Sequence, residues 1–433
     1  MTRFIRAAAM QLSAHDRADF QRSLDGTIDS VRQTAKRADL VVLPEATFPA
    51  YVLGHRPVDE EAMRSVLQRL AEVARETQTV IVAGVAAPVG ATARNSAFVI
   101  DADGSLAGRA DKLFLWHFDR RWFEQGDRLA PIPTSIGTLG VLVCADGRLP
   151  TIARALVDRG AEALIMPTAW VTSGRNPDAL ENVQADLLGR VRAYENGVPF
   201  IAANKCGAEL GMVVYCGKSQ IVDAHGNAVA IASENRPEIL SADVELSGAR
   251  PRRATLAPVA PRVTQLEGPL RLAISYDPLP RDVDERLELL DDDYALAPED
   301  RERLALLDDA LPVASVGDDL ALDPAGLTAY RSAGYPLICW ATDLARPWSE
   351  RIARTRALEL RIYLVVYDRP ARRAYAVDPD GTIVAGTFAD YRLASFSLDP
   401  RKVTDTAVAP GSDIGEGLAR IAAISEAEAK SPT

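Results

Sequence analysis

Apolar positions in the first half of the chain fall into two alternating periods. Unbroken or every-second-residue apolar runs predict strands at 4–11, 40–43, 80–85, 95–100, 106–110, 163–166, 200–203, 213–215 and 219–222. Apolar residues at helical spacing predict helices at 20–37, 60–76, 149–158 and 178–196. Leu24, Ile28, Val31 and Ala35 form the buried face of the first helix; Leu180, Val183, Leu187, Val191 and Tyr194 form that of the last, with Gly197 placed to cap it. Strands and helices alternate throughout, which predicts a layered α/β fold. The most telling run is Gly140-Val141-Leu142-Val143-Cys144-Ala145-Asp146-Gly147-Arg148-Leu149-Pro150, where a buried strand stops at a cysteine and a turn leads into a helix opened by Pro150. Such an elbow exposes a thiol, and free N–H groups at a helix start favour the thiolate and a developing oxyanion.

Composition changes this picture little. The 433 residues, 48% apolar and 25% charged, suffice for a large core and leave room for two domains. A net charge of −11 disfavours nucleic acid and anionic membrane as partners. The N-terminus lacks an apolar leader and no run reaches membrane-spanning length, so a soluble, cytoplasmic protein is expected. Cys144, Cys206, Cys216 and Cys339 lack CxxC spacing and the four histidines stand alone, so neither a disulfide framework nor a metal site is expected. A glycine-rich stretch ending Gly217-Lys218-Ser219 has the wrong glycine spacing for a phosphate loop and precedes a strand, which excludes nucleotide binding there.

Three chemically capable residues, Glu45, Lys112 and Cys144, each follow an apolar strand. Strand ends at one sheet edge can meet in space although they are distant in sequence. Splitting an amide C–N bond calls for these types: a thiolate to attack the carbonyl, a carboxylate to take and return the proton, and a cation to hold the oxyanion. Aromatic residues past the strand ends, Tyr51, Phe114, Trp116 and Trp170, are candidates to wall a small, partly apolar pocket.

Leu43-Pro44-Glu45, Asp111-Lys112-Leu113, Cys144-Ala145-Asp146-Gly147-Arg148-Leu149-Pro150, Met166-Pro167-Thr168-Ala169-Trp170 and Arg192-Ala193-Tyr194-Glu195-Asn196 occur in the order and spacing of the nitrilase superfamily of carbon-nitrogen hydrolases, which the chain resembles over residues 1–248. The resemblance implies an αββα sandwich, no cofactor and no metal, with Glu45 as general base, Lys112 as oxyanion stabiliser, Cys144 as nucleophile and the Ala145 N–H completing the oxyanion hole. Many members carry a further glutamate between the lysine and the cysteine. Asp119 holds that place here, with Glu124 as the alternative. The implied activity is amidase-type hydrolysis of a small linear amide or carbamoyl compound through a thioester. Nitrile hydrolysis, amide-forming acyl transfer, or a non-catalytic scaffold with a relic site are the alternatives.

Residues 249–261, with Arg250-Pro251-Arg252-Arg253, Pro258 and Pro261, read as a linker. Beyond it the pattern repeats faintly. Pro324 and Gly334 match Pro150 and Gly160 at one offset; Arg356-Ala357 and Glu359 match Arg192-Ala193 and Glu195; Asp378 and Gly381 match Asp223 and Gly226. The first offset sets Asp318 against Cys144. Residues 262–424 are therefore expected to form a truncated, inactive αββα-like copy, followed by a tail at 425–433. The copy would take the place of a partner subunit in an intra-chain pseudo-dimer, with further homo-oligomerisation open.

Overall fold

A computed structural model of the chain describes residues 3–174, 178–246, 248, 251–264, 268–277, 294–296, 311–388 and 391–430. It divides into two units, Met1–Pro251 together with Val408–Thr433, and Arg252–Ala407.

In the first unit, strands β1 (Arg3–Ser13), β2 (Leu40–Val42), β3 (Val80–Val89), β4 (Thr92–Ile100) and β5 (Leu106–Asp111) lie side by side. β6 (Phe123–Glu124) pairs with β4. A second sheet begins with β7 (Ile132–Thr134), β8 (Gly137–Val141), β9 (Ala163–Pro167) and β10 (Phe200–Ala203). β11 (Lys205–Glu209) and β12 (Val213–Cys216) extend the first sheet beyond β1; β13 (Gln220–Val222) and β14 (Ala228–Ile231) extend the second beyond β10; β15 (Glu238–Leu246) returns antiparallel to β1.

Strand alternation decides the layers. Ala8, Met10, Val41, Ile81, Ala83 and Val85 cluster with helices α1 (Phe20–Ala35) and α2 (Glu60–Thr77). Their neighbours Ile5, Ala7, Ala9, Val42, Val80 and Val82 point the other way, against Val141, Ile165 and Ile201 of the second sheet. Helices α3 (Pro150–Asp158) and α4 (Gly189–Asn196) add Ile152, Leu156 and Ala193 to that second cluster. The order helix, sheet, sheet, helix is the arrangement that the resemblance implies. Among the described residues no helix is long and apolar enough to cross a membrane.

One local expectation is corrected and one is met. The helix expected over 178–196 is regular only from Gly189, after a wider turn at Gln184–Leu188. The Asn182 side chain accepts from Gln184 N (2.9 Å) and donates to Val171 O (2.8 Å), which holds the preceding residues in a loop and leaves Leu180 outside the helix. Cys144 stands on a 3₁₀ turn, Cys144–Arg148, and α3 follows with Pro150 at its first helical position, which is the expected strand-turn-helix elbow.

The second unit has a three-stranded sheet, β16 (Leu270–Ser275), β17 (Tyr294–Leu296) and β23 (Leu393–Leu398), and a five-stranded one. The latter runs in the order β18 (Val313–Val316), β19 (Leu337–Thr342), β20 (Tyr363–Asp368), β21 (Arg373–Val377) and β22 (Ile383–Gly386). Its helices are α5 (Asp318–Leu322), α6 (Pro324–Ser332), α7 (Trp348–Leu360) and α8 (Pro400–Thr404). Most of the acidic tract at 277–309 lies outside the described residues.

The second unit ends at Ala407, short of the 424 expected from the sequence. The reason is packing: helix α9 (Ile414–Lys430) sets Ile414, Leu418, Ile421 and Ile424 on one face, and these pack into the core of the first unit. The second unit is thus an insertion between β15 and the closing helix of the first.

Candidate active site

Glu45 owes its position to an interrupted strand. Leu43 N still donates to Val82 O (2.8 Å), but Pro44 has no N–H, and pairing with β3 stops. The chain crosses tightly over Gly84, where a Cβ would overlap Pro44 O and lie 2.6 Å from Glu45 Cα. Thr47 Oγ1 donates to Pro44 O (2.7 Å), and the buried Lys205 Nζ donates to Ala46 O (3.0 Å). The carboxylate is fully buried. Oε1 accepts from Asn95 Nδ2 and from Lys112 Nζ, each at 2.6 Å, while Oε2 has no partner among the described residues.

Lys112 leaves β5 with its N–H donated to Asn95 O (2.8 Å) and its carbonyl accepting from Gly126 N (2.8 Å). Its buried ammonium lies 2.6 Å from Glu45 Oε1 and 2.7 Å from Asp119 Oδ2. Burial alone lowers the lysine pKa, yet the Asp119 and Glu45 carboxylates outweigh it and hold the group well above its ordinary value. Asp119, on the turn His117–Arg121, also accepts from Trp116 N (2.7 Å) and from the Tyr51 hydroxyl (2.6 Å). Burial and then the Asp119 charge push the Tyr51 phenol well up, so it stays a donor.

Cys144 adopts φ +48°, and the turn behind it is held from two sides. Asp146 accepts from Val143 N (2.9 Å) and also from Leu113 N (2.9 Å) and Phe114 N (2.7 Å), which joins the cysteine turn to the loop after Lys112. Arg192 Nε donates to Gly147 O (3.0 Å) and its guanidinium pairs with Glu195 (2.8 Å), both side chains fully buried. A Cβ at Gly147 would overlap Met166 Cε and lie 2.8 Å from Gln184 Oε1, so a side chain there would have to displace both of those tips. Cys144 is buried, at 7% exposure. Burial pushes its pKa up, Glu45 adds to this, and Lys112, the Thr168 hydroxyl and the Ala169 N–H act in the opposite direction without offsetting it. Burial thus outweighs the pull that free N–H groups exert toward the thiolate. Ala145, next in the same turn, is buried.

The structure thus brings Glu45, Lys112, Asp119 and Cys144 into one electrostatic neighbourhood. It separates Glu124, which is exposed and accepts from Thr92 Oγ1. The expected aromatic wall is largely redistributed. Tyr51 is caged by Phe118, Trp122 and Tyr215 and serves Asp119. Phe114 and Trp170 are core residues at 2% and 1% exposure. Only Trp116 stays half-buried, with the Arg148 guanidinium stacked 4.1 Å from its ring centroid; burial lowers that arginine to about 10. Sequence reasoning missed Asn95, Asp146 as a tie between loops, and Arg148. Asn95 gives no signal in the pattern, because it occupies an inward strand position where apolar residues are the rule. Among the described residues, no His, Cys, Asp and Glu cluster is fit to hold a metal ion.

The carbon-nitrogen hydrolase family model matches residues 6–254. A probable nitrilase of Schizosaccharomyces pombe is 32% identical over 159 residues, 37% of this chain and 56% of that protein, so the chain spans little more than half of that relative. An (R)-stereoselective amidase of a Pseudomonas species is 30% identical over 222 residues, 51% of this chain and 78% of that protein. The crystal structure of a carbon-nitrogen hydrolase from Helicobacter pylori G27 superposes with a TM-score of 0.51 at 29% identity, covering 56% of this chain and 89% of that one. With these likenesses over the first unit, the chain belongs to the carbon-nitrogen hydrolase family, the nitrilase superfamily, and is a hydrolase acting on C–N bonds.

Proposed function

We propose that the first unit hydrolyses a small linear amide or carbamoyl compound through a thioester on Cys144. One observation carries this reading: the buried Glu45 carboxylate has one oxygen bound by Lys112 and Asn95 and the other without a partner, beside a cysteine whose thiol its charge disfavours ionising. Glu45 Oε2 takes the thiol proton as Sγ attacks the substrate carbonyl carbon. An ammonium has three donors; Lys112 spends two on Glu45 and Asp119 and keeps one for the oxyanion, with the Ala145 N–H as second donor. The tetrahedral adduct collapses as Glu45 returns the proton to the departing nitrogen, which leaves as ammonia or an amine. A water molecule, deprotonated by Glu45, then attacks the thioester carbon, and the acid departs as the thiol regains its proton. Relatives named amidase and nitrilase support the reaction class.

We infer further that the second unit is a silent copy of this fold. β18, β19, β20, β21 and β22 follow one another with the pairings of β8, β9, β10, β13 and β14. Arg356 Nε donates to Ala321 O (2.9 Å) and pairs with Glu359 (2.9 Å), as Arg192 does with Gly147 and Glu195. Gly381 and Gly226 close matching turns at φ +75° and +78°. Asp318, in the cysteine's place, accepts from Trp340 Nε1 (3.0 Å) and Asp343 N (3.1 Å) and carries no thiol.

A panel of linear amides, carbamoyl compounds and nitriles assayed for ammonia release, with mass spectrometry of a trapped adduct, tests both inferences. Cys144→Ala is expected to abolish turnover, Asp119→Asn to lower it by a smaller factor, and Asp318→Ala to leave it unchanged. Unchanged turnover in Cys144→Ala refutes the site, and lost turnover in a folded Asp318→Ala refutes the silent copy.

A further inference from the structure

The closing segment of the chain is fastened to the two loops that carry Lys112 and Asp119. Ser412 Oγ accepts from His117 N (2.7 Å) and donates to Leu115 O (3.3 Å), and Gly411 O accepts from Arg120 Nε (2.9 Å). The turn His117–Arg121 is therefore gripped from outside by this segment and from inside, through Asp119, by Lys112, Tyr51 and Trp116 N. His117 has φ +46°, a conformation that a residue with a side chain rarely adopts unless its surroundings enforce it.

Helix α9 holds the next stretch of the same loop. Arg420 donates to Gly126 O (2.6 Å), and Gly126 N donates to Lys112 O (2.8 Å). Gly417 lets the helix approach closely, since a Cβ there would lie 2.9 Å from the Phe114 ring and 3.0 Å from Leu149 Cδ1. At the far end Glu428 accepts from Leu129 N (2.8 Å) and pairs with Arg159. Buried Ile414 and Ile421 anchor the whole segment in the core.

We propose that Ser412 is a positioning residue of the active site: by holding the His117 peptide it fixes where Asp119 sets the Lys112 ammonium, and the segment after the inserted second unit is thereby a working part of the first. This rests on the roles proposed above for Lys112 and Asp119. Loosening the turn shifts Lys112 relative to the oxyanion without touching substrate, so turnover falls while substrate affinity stays. Misplacement of about 1 Å in such a group costs up to about a hundredfold.

The test compares Ser412→Ala, Ser412→Thr and, as a control at the far end of α9, Glu428→Gln in the full chain. Ser412→Ala is expected to lower kcat about tenfold with KM within about twofold. Ser412→Thr, which keeps the hydroxyl, restores it, and Glu428→Gln lowers the thermal midpoint with kcat unchanged. Wild-type kcat in Ser412→Ala, or an equal kcat loss in Glu428→Gln at the same loss of midpoint, overturns the proposal. Hydrogen exchange at the amides of 117–122 gives a readout independent of turnover. It rises in Ser412→Ala and not in Glu428→Gln if the clamp is real, and equal exchange in both overturns it even where no amide proves to be a substrate.

Discussion

Replacing Lys112 by methionine removes one charge from between two others, and the cost can be worked from the geometry. Its ammonium sits 2.6 Å from Glu45 and 2.7 Å from Asp119, all three side chains at 0% exposure. At an effective dielectric of about 20 each contact is a gross attraction of about 6 kcal/mol. Desolvation offsets most of that, and breaking such a buried pair costs about 3–5 kcal/mol net. In Lys112→Met the cost has a ceiling, because one stranded carboxylate can take a proton. From an ordinary carboxylate pKa of about 4, protonation at pH 7 costs about 4 kcal/mol, and at pH 5 about 1.4 kcal/mol. The sign follows: the variant's folded state binds a proton that its unfolded state releases, so its deficit relative to wild type shrinks as pH falls. The wild-type ammonium, held well above its ordinary pKa, stays charged across this range. Urea unfolding of both proteins at pH 5, 6 and 7, followed through exchange of the β3 amides, should give a stability difference that changes by about 1.4 kcal/mol per pH unit. A difference independent of pH would show that the two carboxylates do not share the lysine, and the electrostatic account of the site would fail with it.

Gly84→Ala should displace Glu45, because the new methyl overlaps Pro44 O. A loss of kcat up to about a hundredfold, with about 1–3 kcal/mol of destabilisation from overpacking, is expected by steady-state kinetics and urea unfolding. Activity matching wild type would mean that the backbone at 44–46 yields freely. Burial and the Glu45 charge hold the Cys144 thiol above its ordinary range, so alkylation by iodoacetamide should still climb about tenfold per pH unit past pH 9, where a free cysteine levels off. A plateau below pH 8 would reveal a preformed thiolate and contradict proton transfer to Glu45 during attack.

The layered fold was legible because its signals are local. Ala7 to Met10 alternate faces, Leu24, Ile28, Val31 and Ala35 recur at helical spacing, and Pro44 and Pro150 punctuate strand and helix, each within a few residues. Glu45, Lys112 and Cys144 were found from chemistry and order along the chain. Tyr51 and Phe114 were placed in the pocket wall because an aromatic beyond a strand end looks the same whether it faces a ligand, a carboxylate or a closing helix. Helix α9 was counted with the second unit since its stripe of Ile414, Leu418, Ile421 and Ile424 records that it is buried, not against what.

Sequence by itself determined the alternating strands and helices and the residue types able to break a C–N bond. Tertiary structure alone decided that Asp119 rather than Glu124 shares Lys112, that burial holds the Cys144 thiol above its ordinary range, and that the last turn-and-helix of the chain closes over the loops of the first unit. The physical reason is range. Backbone periodicity and side-chain chemistry are carried by a residue and its neighbours, whereas a charge's partner, its dielectric surroundings and the surface a helix covers are supplied by residues far away in the chain.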